Sequence, residues 1–460
     1  MANPHDAPAE RHPTPAVAPS PPPGRLRRLG PFRRRPFLVY WTGGFLSNVG
    51  TWLQTVAASV YVYERTGSAL AVGILNFASF LPIFLFSVIG GLIGDRFDRR
   101  IVVVVTHAVS GVFACVLAAV AFAGDASELT VIVIAFLLNT SYAVAKPALV
   151  SILPAIVPRD ELTDSVGVNT LQFVIAQMAG PVLAAVVIAT AGVAWAFALN
   201  ALSYLAPIGA MVFLWRNHLA AGAAIDSRAR TAAGSASGGA GASGSGAPGA
   251  VAYVRDHRWV LDLLVGVIAC SAPLEVVRTL SPAIAEGLGR PESDAGFLVA
   301  AMSLGSAIAL FAFVPLRRSG RSRDLARAGL AFEGVGLLGA VLAGQFWMAA
   351  VFGGLIGFGF SLCFPVLTSG LQAQVPDAVR GRVMAFHQMS HLGNRPFAAL
   401  AAGMAATVVG GQPAVAIGLA LIPFGIAAAA RAWRALDAEA GATLGAIEAR
   451  TGAQTAGGFD

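Results

Sequence analysis

Glu275 and Arg278 stand three residues apart inside one apolar run, and His387, His391 and Arg395 recur at four-residue spacing inside another. At helical pitch the first two share a face and can pair as a structural link or an outer gate. The other three form one polar stripe flanked by Gln388 and Asn394. Histidine is the side chain that titrates near neutral pH, so the stripe suits proton coupling or the holding of an anionic substrate. An interfacial position for His387, and an Arg395 bonded to backbone freed by Pro396, are the structural alternatives. Lys146 and Glu333 are further charges in apolar surroundings. Lys146 can snorkel to the interface, and Glu333 reads as a capped or lipid-facing neutral carboxyl. Asn48, Gln54, Asn139, Gln172 and Gln177 either line a cavity or bond one helix to the next. None of these groups has metal-ligand or nucleophile–base spacing, and no Gly-rich phosphate loop ends in Lys-Ser/Thr. Neither an enzyme, a metal site nor a cofactor is expected. Cys115, Cys270 and Cys363 are widely spaced and read as buried, inert thiols.

The elements that must position these groups are set by composition. Of the 460 residues, 56% are hydrophobic and 12% charged, against roughly 25% charged in an average soluble domain. Mean hydropathy is +0.71. Apolar runs near the ~20 residues needed to span a bilayer recur along most of the chain, and backbone groups without water must bond internally. The alternation of a membrane β-barrel is absent. The runs predict an all-α membrane protein with helices at 37–63, 69–94, 101–123, 129–153, 164–190, 193–215, 259–283, 295–316, 325–344, 347–372, 382–408 and 413–434.

Charge orients these helices. With both termini in the cytoplasm, the tails and even-numbered loops hold 26 of the 31 Lys and Arg residues, against Arg65 and Arg290 in outer loops. That is the positive-inside pattern. It also accounts for the basic pI of 9.9 through anionic lipid rather than nucleic acid. Residues 1–36 read as a disordered cytoplasmic tail, 435–460 as a second tail, and 217–258 as a flexible Gly/Ser/Ala linker. The linker ends in Tyr253–Trp259, an interfacial entry to the next helix with Trp259 at headgroup level. It separates two six-helix halves, 37–216 and 259–434. An internal repeat supports the division: PALVSILPAIVP at 147–158 and PVLTSGLQAQVP at 365–376 share seven of twelve residues at an offset of 218. Paired halves with a midplane site are the build of alternating-access carriers. The glycines of GGLIGFGF from Gly353 offer a hinge between them.

The turn after the second helix reads GLIGDRFDRR, placing Gly91, Asp95, Arg96, Arg99 and Arg100 in a short basic loop. Asp95 adds nothing to positive-inside topology, so its charge is expected to meet a positive partner. Arg380 and Arg382, before the eleventh helix, are the expected partners when the cytoplasmic ends close. This loop resembles the signature loop of the major facilitator superfamily, with Asp98 where glycine is usual. With SNVGTWLQTVAASVYVYERTGSALAVG from Ser47 and VPDAVRGRVMAF from Val375, the chain resembles the enterobactin-exporter and macrolide-efflux branch of the drug:proton antiporters. The arginine such antiporters often carry early in helix 4 is absent.

The resemblance implies a proton-coupled exporter of a small amphipathic organic compound such as a siderophore or antibiotic. It would act as a monomer in the bacterial inner membrane. An importer of the same fold, or a membrane scaffold or sensor without transport, are the alternatives.

Overall fold

The structure, a computed structural model, describes residues 27–124, 126–158, 160–217, 250–317 and 322–438. The N-terminal tail up to residue 26, most of the linker and the C-terminal tail from 439 lie outside them. Among the described residues there is no strand. The helices are α1 (Arg35–Thr66), α2 (Ala69–Arg96), α3 (Arg99–Ala123), α4 (Glu128–Ile156), α5 (Leu162–Ala191), α6 (Val193–Ser203) and α7 (Leu205–Arg216). After the linker come α8 (Ala250–Asp256), α9 (Arg258–Gly287), α10 (Ala295–Arg317), α11 (Ser322–Leu342), α12 (Phe346–Gln374), α13 (Asp377–Leu392) and α14 (Asn394–Val409). A last helical span covers Pro413–Ala438. Nine segments among the described residues are long and apolar enough to cross a membrane, α6 and α7 counting as one.

Local chemistry punctuates the helices. Ser68 caps α2 by accepting from the Ala71 amide, Asp98 caps α3 from the Arg100 amide, and Ser127 caps α4 from the Thr130 amide. The repeat read from sequence reappears as backbone. α4 ends at Ile156 and α12 at Gln374, each followed by an extended valine and a proline. In both copies an amide three residues on, of Glu161 and of Val379, donates to the proline carbonyl. At the same offset of 218, Gly192 (φ 90°) and Gly410 (φ 87°) close α5 and α14 with one left-handed conformation. A side chain disfavours that φ.

Two of the expected helices are interrupted, 193–215 at Tyr204 between α6 and α7, and 382–408 at Gly393 between α13 and α14. Pro396 has no amide to donate, and its ring crowds the carbonyl four residues back, at Leu392. Trp259, the second residue of α9, is buried against neighbouring helices, because α9 is the most enclosed span. Its apolar window is 78% buried, against 33% for α5.

Helices 27–217 pack among themselves and helices 250–438 likewise. The two groups meet mainly along α2–α14 and α5–α10. Large apolar side chains such as Val112, Leu129, Phe311 and Val351 cover the outside, as lipid contact requires. Cys115 is exposed there, whereas Cys270 and Cys363 are buried, and all three are free thiols.

Candidate functional site

One end of the molecule carries the connections around Gly67, Gly124, Gly192 and Gly410, and the other carries the turn at Asp98. The two halves are joined at the Gly67 end. Tyr63 donates to Glu286, and Asn76 Nδ2 donates to Thr279 Oγ1 at 3.1 Å. Phe77 meets Phe397 edge to face at 6.0 Å. Small residues let backbones touch: a Cβ on Gly73 would lie 2.7 Å from the Ala399 carbonyl, and one on Gly403 2.8 Å from the Ala69 carbonyl. Toward the Asp98 end the main packing among the described residues runs within each half. α13 packs against α8, α9, α12 and α14, and α4 against α1, α2, α3 and α5, each within its own half.

The ionisable groups picked out by spacing gather where the halves begin to part. Arg278 Nη1 donates to Glu275 Oε2 at 2.9 Å, with both residues buried. The second carboxylate oxygen, Oε1, is buried without a hydrogen-bond partner. The Arg278 guanidinium stands 5.1 Å from the Trp52 ring of the other half, a cation–π distance. A small cavity beside it is lined by Trp52, Thr55, Ser59, Asn76 and Ser281. Arg395, one residue into α14 after the Pro396-induced break, lies 5.6 Å from the Phe80 ring and within electrostatic range of Glu275 and Arg278. Lys146 is exposed, with its ammonium 5.8 Å from the Tyr142 ring, and it lies within electrostatic range of Arg395 of the other half.

His387 is 2% exposed, and its Nε2 lies 2.9 Å from Thr368 Oγ1 of α12. His391 packs against Phe360 and Phe364, with ring centroids at 5.9 and 4.4 Å. Both histidines keep a buried Nδ1 without a hydrogen-bond partner. The stripe of three therefore exists, but it changes character along its length: His387 is bonded inside its own half, and Arg395 reaches the other.

The neutral amides serve mainly as ties between helices. Gln54 accepts from Asn200, joining α1 to α6. Gln172 Nε2 donates to the Trp41 carbonyl, and its Oε1 accepts from Asn48 at 3.5 Å, joining α5 to α1. Asn139 bonds its own helix at the Ala135 carbonyl. Glu333 is not lipid-facing: it is wholly buried between α11 and α12, beside Cys363 and Gly359. Trp52, Asn76, Thr279 and Ser281, which line the seam, carry no sequence signal that separates them from other polar residues in apolar runs.

In the basic turn, Gly91 and Arg96 lie on the last turns of α2, and the side chain of Asp95 lies outside the described residues. Arg99 donates to the Ser151 carbonyl at 3.2 Å, tying the turn to α4. Arg100 is buried and pairs with Asp98 at 2.6 Å. Across the gap, Arg380 donates to the Val375 carbonyl and Arg382 is exposed. Asp98 thus replaces the usual glycine with a helix cap and an ion pair. The Arg100 hydrogen bond holds its carboxyl below the usual 3.8. A depressed carboxylate pKa contributes stability that is complete above the unfolded value and lost as pH falls below it. Asp98→Ala is expected to cost about 1 kcal/mol through the lost cap. Asp98→Asn should cost less, because asparagine caps equally well and its side-chain oxygen can still accept from Arg100. The gap between wild type and Asp98→Asn in thermal unfolding should close below pH 3.8. A gap that widened on acidification would contradict the pairing.

Comparison with known proteins fits this architecture. A family profile of the major facilitator class, described as a transmembrane secretion effector, matches residues 27–445. The chain belongs to the major facilitator superfamily. This transporter is 25% identical over 404 residues to the enterobactin exporter EntS of Shigella boydii, covering 85% of the chain and 90% of that protein. It is 26% identical over 176 residues to macrolide efflux protein A of Streptococcus pyogenes, a match spanning 42% of that protein's length. In fold it is similar to a bacterial homologue of the iron transporter ferroportin in an inward-facing state. That likeness has a TM-score of 0.65 at 16% identity and covers 86% of this chain and 98% of that one. A bacterial homologue of the lysosomal transporter Spinster, also inward-facing, gives a TM-score of 0.60 at 14% identity, covering 88% and 97%. This transporter is a multi-pass membrane protein and not an enzyme.

Proposed function

We propose that this transporter exports a small amphipathic organic compound from a bacterial cell by alternating access. The observation that carries the reading is the seam itself: halves joined at the Gly67 end, parted toward the Asp98 end, and polar groups buried between them. Positive-inside charge makes the Asp98 end cytoplasmic, with both termini and the linker on that side, so this arrangement is inward-open. On this reading α1, α2 and the α13–α14 pair complete twelve crossings in two six-helix halves, and the protein works as a monomer. When the cytoplasmic ends close, Asp95 meets Arg380 or Arg382, and the contact breaks again on opening. Two relatives named as exporters support the direction.

Proton coupling is assigned to α13. Both histidines keep a buried Nδ1 without a partner, but His387 Nε2 is already bonded to Thr368, which leaves the His391 ring the freer of the two. Everted membrane vesicles with an acid interior should accumulate rhodamine 6G or carboxyfluorescein only when the transporter is present. His391→Ala should abolish gradient-driven accumulation at least tenfold while leaving energy-independent exchange, and His387→Ala should be milder. Accumulation of neither dye would overturn export. Unchanged gradient-driven rates in both variants and the double variant would remove α13 from proton coupling.

A further inference from the structure

Lys146 from one half and Arg278 and Arg395 from the other converge on the gap, and a single carboxylate, Glu275, stands among them. Glu275 is already held by Arg278. Glu333, the other carboxylate buried at depth, lies between α11 and α12, away from the gap. Among the described side chains no carboxylate forms an ion pair with Lys146 or Arg395, and of the described groups named here three cations face one carboxylate, Glu275, which acts on both Arg278 and Arg395. A cation held in the bilayer interior without an ion-pair partner is costly, and a carrier that keeps two of them within electrostatic range of each other on opposite halves has a use for a negative partner. Flat apolar surfaces flank them: Phe80 lies under Arg395, Tyr142 within 5.8 Å of the Lys146 ammonium, and Phe360 and Phe364 about His391.

We infer that the transported compound is an organic anion with a flat apolar body, its negative group bridging Lys146 and Arg395 and its body lying against Phe364 and Phe80. The inference deepens the export reading and rests on the gap being the substrate path. A bridging anion would draw the two halves together at mid-depth, since each cation belongs to a different half. The excess positive charge would also repel a cationic compound of equal shape. Arg278 would contribute less, because Glu275 neutralises it and Trp52 covers it.

Fluorescein and rhodamine 6G share a xanthene ring system and differ in charge, so they separate electrostatics from shape. Binding to the purified full-length transporter in neutral detergent, read by fluorescence anisotropy, is expected to be at least tenfold tighter for fluorescein. Lys146→Gln and Arg395→Gln should each weaken fluorescein about tenfold, ~1.4 kcal/mol, without weakening rhodamine 6G. Arg395→Glu should reverse the preference. Lys146 is exposed, so its variant carries little risk of misfolding and keeps the test decisive if Arg395 variants fail to fold. Equal or tighter rhodamine 6G binding, or fluorescein binding unchanged in Lys146→Gln, would overturn the inference. Displacement of fluorescein by equimolar phosphatidylglycerol would also overturn it, assigning the cations to an anionic lipid. Binding needs no transport, so loss of vesicle export with retained anion preference would sink the export reading alone. Export of rhodamine 6G with no anion preference would sink this one alone.

Discussion

Gly403→Leu is expected to reduce transport at least tenfold while leaving insertion and expression close to wild type. Gly403 sits where α14 crosses α2, and even a bare Cβ there would lie 2.8 Å from both the Ala69 carbonyl and the Leu70 Cα. Gly73, from the opposite side, meets the Ala399 carbonyl in the same way. Small residues at such crossings allow backbones to approach closely in a membrane, where lipid offers no hydrophobic drive to hold helices together. A leucine must either separate the helices or push a backbone aside, and overpacking of this kind costs about 1–3 kcal/mol. Each ~1.4 kcal/mol is a tenfold shift between two states. The crossing joins the halves rather than building either one, so the penalty falls on closure of the Gly67 end and not on folding. The carrier should then be held open at that end. Thr279→Cys, buried at the seam, should become reactive to a membrane-impermeant maleimide from the Gly67 side in the Gly403→Leu background. Wild-type transport with Thr279→Cys still protected would show that α2 and α14 separate at no cost, and the seam would lose its meaning as a gate.

The second large effect concerns the buried ion pair. Arg278→Ala should destabilise the solubilised transporter by about 3–5 kcal/mol, because it leaves Glu275 as a buried charge without its partner. Glu275 has no reserve: it is 1% exposed and its Oε1 is already without a hydrogen bond. Removing both charges is a different experiment. A Glu275→Met, Arg278→Met pair fills similar volume with apolar groups, and such replacements are often neutral or stabilising. Thermal unfolding of the double variant should therefore recover most of the loss seen in Arg278→Ala. Transport by the double variant should stay low, because the Trp52–Arg278 contact between the halves is gone. A double variant as unstable as Arg278→Ala would mean that the arginine stabilises through packing on Trp52 alone. A double variant with full transport would remove the pair from the mechanism.

Much of this was present in residue order. Membrane class followed from the scarcity of charge, because helices in lipid need long apolar runs whatever their neighbours do. The repeat at offset 218 was legible from its prolines and serine, and the structure extends it to Gly192 and Gly410, whose shared backbone no pattern of side chains announces. The break at Gly393 follows from Pro396 by a local rule about a missing amide. Pairing of Glu275 with Arg278 was equally local, three residues apart on one helix.

What lay beyond the sequence was depth and direction. Lys146 and Arg395 are 249 positions apart, and only the folded arrangement of the two halves brings them within electrostatic range of one another. Glu333 reads the same in sequence whether it faces lipid or core, since both surroundings are apolar; packing of α11 on α12 turns it inward. Gln54 and Gln172 read as cavity candidates, yet neighbouring helices supply partners, Asn200 and the Trp41 carbonyl. Asn76 and Thr279 are ordinary polar residues in their own helices and become a seam only when two halves meet. Hydropathy therefore determined that helices cross and roughly where. Which face each helix turns to lipid, to its own half or to the other half was decided by tertiary packing, because an apolar membrane gives no contrast between outside and core.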